Sequence, residues 1–332
     1  MPSPSADPPA SAPSPSPSVV PPGPIPGYLL IADRGNDRLL LVDGAKHVLW
    51  RYPKPGQPPS FPFHFDDDAF FSPDHTAIIT NEEDQHTLEM LSFPGGRVLW
   101  TYGHVDSPGS GKGYLNTPDD AYLLPDGTRT VADIHNCRIL FISPAKKVIR
   151  QLGRTGDCAH DPPRSFASPN GDTPLPDGGT LVTEINGSYV DRISPSGKLV
   201  WSVHAPVAYP SDAQLLPDGR ILLADYSEPG HVLLMSHSGK VLYRYGPASG
   251  PGMLNHPSLA LMLPNGLIAL NDDARDRVVL IDPEKDRIVW QYGHTDAPGT
   301  HHGYLDTPDG MDFLPFDVAM SIPAVRDLVL KP

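Results

Sequence analysis

Val48-Leu49-Trp50-Arg51-Tyr52 returns as Val98-Leu99-Trp100-Thr101-Tyr102, Leu199-Val200-Trp201-Ser202-Val203 and Ile288-Val289-Trp290-Gln291-Tyr292, and these segments hold all four tryptophans of the 332-residue chain. Two further copies put Arg150, in Lys147-Val148-Ile149-Arg150, and Tyr243, in Val241-Leu242-Tyr243-Arg244-Tyr245, at the tryptophan position. Successive copies lie 50, 50, 51, 42 and 47 residues apart, so six fill the chain from residue 27 onward. A period of this size marks a repeat architecture whose units bury their apolar faces against one another.

Around the tryptophan, each copy carries turn chemistry. Pro73-Asp74, Pro125-Asp126-Gly127, Pro176-Asp177-Gly178, Pro217-Asp218-Gly219 and Pro264-Asn265-Gly266 each stand between two short β-rich runs, the second ending in an acid or amide as in Val131-Ala132-Asp133. A loop follows, then a third run such as Arg277-Val278-Val279-Leu280-Ile281, a turn such as Ser194-Pro195-Ser196-Gly197, and the tryptophan run. Four antiparallel strands per repeat, six times over, predict an all-β six-bladed β-propeller. The first copy begins at Tyr28-Leu29-Leu30-Ile31-Ala32-Asp33, a second strand, and its missing inner strand is expected from Asp309-Gly310-Met311-Asp312-Phe313-Leu314-Pro315. The C-terminal strand then completes the first blade and closes the ring, leaving no open sheet edge.

Composition agrees. With 42 prolines the chain has about one in eight residues, too many for a coiled coil or helical solenoid. Its 25 basic and 39 acidic side chains give a net charge of −14, which repels a phosphate backbone and argues against nucleic acid as a partner. No stretch approaches the ~18 apolar residues of a membrane span. Residues 1–26, with 11 prolines, read as a disordered Pro/Ser-rich lead; 27–315 read as the propeller, a monomer, and 316–332 as a C-terminal tail. Such leads follow removed export signals and also begin cytoplasmic proteins.

The repeats resemble the NHL family of six-bladed propellers over nearly all of residues 27–315. Asp33-Arg34-Gly35-Asn36-Asp37-Arg38-Leu39 and Asp133-Ile134-His135-Asn136-Cys137-Arg138-Ile139 match its Asp-x-x-Asn-x-Arg-Ile/Leu core, and Gly113-Tyr114-Leu115-Asn116-Thr117-Pro118 is similar to its glycine-rich connector. In other blades Glu184 and Asn271 stand for the acid, and Tyr189 and His231 for the arginine. The fold hosts enzymes, binding modules and scaffolds alike, so function must be argued from sites.

Strand direction puts the blade-to-blade connectors and the second-to-third loops at one end of the ring, the top. Cys137 and Cys158 both fall there, close enough to pair, closing a loop of about 20 residues worth on the order of 3 kcal/mol. A disulfide would favour an oxidising, extracytoplasmic or secreted home; two free thiols would suit the cytoplasm.

Two candidate sites share the top. The connectors carry His104, Asp106, His294, Asp296, His301 and His302, and His64, His135 and His160 join them. Histidine with carboxylate suits a transition metal or a general acid/base pair, while Gly-His-x-Asp also serves as a loop-capping motif. Beside the axis, the inner strands start with Asp66-Asp67-Asp68, Asp119-Asp120, Asn170-Gly171-Asp172, Ser211-Asp212, Ser258-Leu259 and Asp309-Gly310. Asp68, Asp120 and Asp212 occupy one repeat position, an oxygen-only set that suits Ca2+ or Mg2+ better than zinc; the alternative is capping of backbone N–H groups. A second column, Asp33, Asn81, Asp133, Glu184, Asp225 and Asn271, reads as loop-capping, with Glu184 long enough to reach toward the axis as ligand or base.

Amidating lyases of this fold hold zinc with histidines where this chain has Asp67, Asp119, Asn170, Ser211, Ser258 and Asp309, so that triad is absent. Ile281-Asp282-Pro283-Glu284-Lys285-Asp286-Arg287-Ile288-Val289-Trp290 resembles a quinoprotein docking motif, yet those rings have more blades; neither a quinone nor a nucleotide cofactor is supported. The expectation is a bacterial, exported propeller binding a small molecule or protein at its top face beside a Ca2+-binding tunnel mouth. The alternative is a metal-assisted lyase or hydrolase using His104, His135, Glu184 or His294.

Overall fold

The computed structural model describes residues 21–330. Six antiparallel sheets form the ring, and the first combines Gly27–Asp33, Arg38–Asp43 and Val48–Tyr52 with Pro308–Pro315 on its inner edge, closing the ring as expected. The second blade, Asp66–Phe71 through Val98–Gly103, the third, Pro118–Leu123 through Val148–Leu152, and the fifth, Pro210–Leu215 through Val241–Tyr245, have four full strands. The sixth, Ala260–Met262 through Arg287–Gly293, has a short inner strand. In the fourth, Thr180–Glu184 through Leu199–His204, the inner strand is reduced to the bridges Pro169 to Glu184 and Pro174 to Thr180, because its two prolines lack ladder donors.

Second and third strands are buried on both faces, as sheets stacked between neighbours must be. Leu29, Leu40, Ile79, Leu88, Val131, Leu140, Val278 and Leu280 belong to one core running through blades six, one, two and three. The tryptophan position turns out to be an inter-blade tie. Trp50 Nε1 donates to Pro94 O at 2.8 Å, Trp100 to Pro144 O at 3.2 Å and Trp290 to Gly44 O at 2.9 Å, each a carbonyl in the next blade's outer turn. Arg150 and Tyr243 make the same reach, to Pro195 O and Asp286. Each tie is worth about 1 kcal/mol beyond the burial of the ring.

Both ends of the ring are more structured than a lead and a tail. Ile25 is buried and Pro24 O accepts from Asn265, so 21–26 dock under the sixth blade; residues 1–20 of the expected lead lie outside the described residues. Phe316–Ser321 and Pro323–Val329 are short helices whose Ala319 and Val325 are buried against the first blade.

The second column proves to be one residue out of register in two blades. Strand pairing aligns Asp33 with Arg38, Glu82 with Thr87, Asp133 with Arg138, Glu184 with Tyr189, Asp225 with His231 and Asp272 with Arg277. The column therefore contains Glu82 and Asp272 in place of Asn81 and Asn271, and the sixth blade has the acid that Asn271 was expected to replace, opposite Arg277. Each of the six acids accepts a backbone N–H from the connector entering its blade: Asp306, His64, Asn116, Ala167, Tyr209 and Asn255 in turn. In blades one, three and six the paired arginine also donates to connector carbonyls, as Arg38 does to Thr300 and Tyr304. The Asp-x-x-Asn-x-Arg core is thus a clamp that sets the top connectors.

Candidate functional site

The inner strands meet the axis through irregularities. Pairing slips between Asp66 and Ala69, Asp119 and Ala121, Pro210 and Ala213, and opposite Pro308 and Met311. In a regular strand consecutive side chains point to opposite faces; a bulge re-aims them, so Asp67 and Asp68, Asp119 and Asp120, and Ser211 and Asp212 all line one pocket. Gly310, at φ +80°, occupies the bulge of the first blade, and a side chain there would collide with Asp68. At Gly171 a Cβ would lie 3.1 Å from Asp212 Oδ1 and 3.2 Å from Asp120 Oδ2, so glycine lets these two carboxylates close in from either side.

The resulting cavity, about 240 Å³, opens on the top face and is lined by seven carboxylates, from Asp67, Asp68, Glu83, Asp119, Asp120, Asp212 and Asp309, against one guanidinium, from Arg34. Tyr209 and Tyr226 form an aromatic wall, their rings edge to face. Arg34 Nη1 donates to Asp67 at 2.5 Å and Asp309 at 2.7 Å, and Nη2 to Glu83 at 2.8 Å. Burial opposes its charge, but these three acids outweigh burial and raise its pKa. The other side of the pocket has no such cation. Burial first, then neighbouring carboxylates, push Asp68, Asp119 and Asp120 well above the usual range, and burial pushes Asp212 up to about 7. Donor atoms of Asp67, Asp68 and Asp119 lie within 4.8 Å of one another.

The expected axial acids, Asp68, Asp120 and Asp212, therefore do converge, although the tightest group is formed by Asp68 with Asp67 and Asp119. Arg34 and Glu83 escaped the sequence reading. They follow the column acids Asp33 and Glu82, as the pocket residue Tyr226 follows Asp225, and for Glu83 that equivalence is legible only with the correct register.

The top-face histidines stay apart from the pocket. His104 stacks on Tyr114 at 4.1 Å and His294 on Tyr304 at 4.0 Å, while His301 meets the edge of Tyr304 and His302 is exposed. Asp296 forks Arg275 at 2.9 Å, Asp106 is exposed on its connector, and His135 bonds Thr117 Oγ1 at 2.7 Å. Glu184 turns away from the axis, into the face of its blade, where it meets His160 Nδ1 at 2.9 Å. Cys137 and Cys158 form a disulfide.

No protein-family model matches the sequence, and no curated protein does. Solved structures of similar fold include a protein of unknown function from Bacteroides caccae, 20% identical over 86% of this chain and 98% of that one, with a TM-score of 0.59. A chain of the nidogen/laminin complex is 13% identical over 86% and 97%, at 0.58. Virginiamycin B lyase from Staphylococcus aureus is 15% identical over 74% and 73%, at 0.50. At such identities the likeness is one of fold, and with the strand topology it makes this chain a six-bladed β-propeller.

Proposed function

We propose that the protein is an NHL-like binding propeller whose axial pocket takes a cation, with Ca2+ the ion its donors suit first. The observation that carries this reading is the lopsided charge of the pocket. Arg34 pairs with Asp67, Asp309 and Glu83, while Asp68, Asp119, Asp120 and Asp212 line the same pocket with no ion-pair partner of their own. Buried like charges either hold protons or hold a counter-ion. Oxygen-only donors from several strands match the 6–8 oxygen shell of Ca2+, with solvent supplying the remainder. The top face around this mouth is the surface for a small-molecule or protein partner. The disulfide supports an extracytoplasmic setting in a bacterial cell. The rival metal-assisted lyase or hydrolase draws less support, since no histidine lines the pocket.

Calorimetric titration of Ca2+ into chelator-treated protein tests the reading. Heat of binding, a rise in melting temperature and loss of both in Asp119→Asn are expected; no heat and no melting shift would overturn it.

A further inference from the structure

The corrected register shows where the six blades differ at one three-dimensional position. Opposite the column acid stands an arginine in blades one, three and six, Arg38, Arg138 and Arg277, and a histidine, His231, in blade five. Two residues further along, on the same face, blades one, three, five and six place Leu40, Leu140, Leu233 and Val279. Blade four breaks both rules. It has Tyr189 for the arginine and Asp191 for the aliphatic residue, so Glu184 loses its internal cation and gains a second acid beside it.

Both acids are fully buried, and neither oxygen of Asp191 has a hydrogen-bond partner. The connector supplies a third group. His160 follows Cys158, which the disulfide ties to Cys137 of the preceding blade, and its ring lies flat on Tyr189, centroids 3.5 Å apart and planes at 9°. Its Nδ1 is 2.9 Å from Glu184 Oε1, and its Nε2 is 3.3 Å from Ser202 Oγ. One donor atom from each of His160, Glu184 and Asp191 lies within 4.8 Å of the others. Two donors 2.9 Å apart, each ~2.0–2.1 Å from a shared ion, subtend an angle of about 90°, within reach of the geometries zinc adopts. The Ser202 hydroxyl on the second ring nitrogen is the outer contact that orients a ligating imidazole. The histidine side chain is 26% exposed, which leaves an entry path and a coordination position toward solvent.

We propose that blade four binds one divalent first-row transition-metal ion through His160 Nδ1, Glu184 and Asp191, in the place where three sister blades carry an arginine. The mixed nitrogen and oxygen donors separate this site from the oxygen-only axial pocket, and the proposal does not rest on the Ca2+ reading. Blade two makes the contrast: it also lacks the arginine, with Thr87 in its place, and has Glu89 as the second acid, but among the described residues no histidine ring nitrogen converges with its two glutamates as His160 does here.

The full chain, without a histidine tag and stripped of metal by chelator, would be titrated with Zn2+ by calorimetry and with Co2+ by visible absorption. One equivalent of Zn2+, a Co2+ spectrum displaced by Zn2+, and a raised melting temperature are expected. Asp191→Leu restores the residue of blades one, three and five, so it should fold with unchanged circular dichroism yet bind Zn2+ about 100-fold more weakly, as should His160→Asn. Asp119→Asn, in the axial pocket, should leave Zn2+ affinity intact. Failure to bind Zn2+, or equal binding by Asp191→Leu and the parent, would overturn the proposal. Loss of Zn2+ binding in Asp119→Asn alone would place the ion at the axis and overturn it too.

Discussion

Replacing Glu89 by leucine should stabilise this protein, and by more as the pH rises. Glu89 is fully buried on the face that blade two turns toward blade one, and neither carboxylate oxygen has a partner. Burial alone pushes its pKa from 4.5 up to about 8. A raised carboxylate pKa means the folded protein holds a proton that the unfolded chain releases. The associated stability is fully present below pH 4.5 and is lost as pH climbs through 8. Each pH unit in that interval is worth about 1.4 kcal/mol, so by pH 7 the loss reaches roughly 3 kcal/mol. Sister blades carry Leu40, Leu140, Leu233 and Val279 here, so Glu89→Leu fits the packing of the repeat and removes the titration. Urea or thermal unfolding of parent and variant at pH 5 and pH 8 measures it. At 2–4 °C per kcal/mol, a gain of about 3 kcal/mol is roughly 6–12 °C. A gain independent of pH, or a loss at pH 8, would refute the reasoning and mean that Glu89 is ionised and paired in the folded protein.

Ca2+ affinity at the axis should rise between pH 6 and 8: Asp212, raised to about 7, holds a proton below that value, and the ion must displace it. A flat affinity across that range, measured by calorimetry, would count against axial binding. Converting both Cys137 and Cys158 to serine should cost about 3 kcal/mol, seen as a lower melting temperature that reductant no longer changes; unchanged melting of the variant would show the bridge to be energetically idle. Gly171→Ala puts a methyl 2.9 Å from Thr183 Oγ1 and against Asp120 and Asp212, so it should cost roughly 1–3 kcal/mol and weaken Ca2+ binding. Melting and calorimetry equal to the parent would show that the axis has room to spare.

The blade count, the strand pattern, the closing strand and the disulfide were legible in the chain because each follows from aligning one repeat on the next. Turn residues at repeated spacing punctuate strands, short apolar runs bury them, and Trp50, Trp100, Trp201 and Trp290 mark the register of the outer strand. The axial acids were legible too, as a shared repeat position. What the sequence could not rank was which neighbours join them, since alternation along a regular strand would send Asp67 and Asp68 to opposite faces. Bulges in the inner strands decide that, and a bulge is an agreement between two strands with no fixed local code. The same holds for Asn81 and Asn271, whose likeness to Asp33 hid the acids one residue later until pairing supplied the register. His104 and His294 look like ligands in a linear reading, but their connectors fold them back onto Tyr114 and Tyr304. His160, 24 residues before Glu184 in the chain, meets it because a disulfide-held connector crosses from one blade to the next. By itself, then, the sequence determined a closed six-bladed ring with acids at its axis, whereas only tertiary structure decided which charges find an arginine and which are left without one, because that depends on contacts between strands and blades.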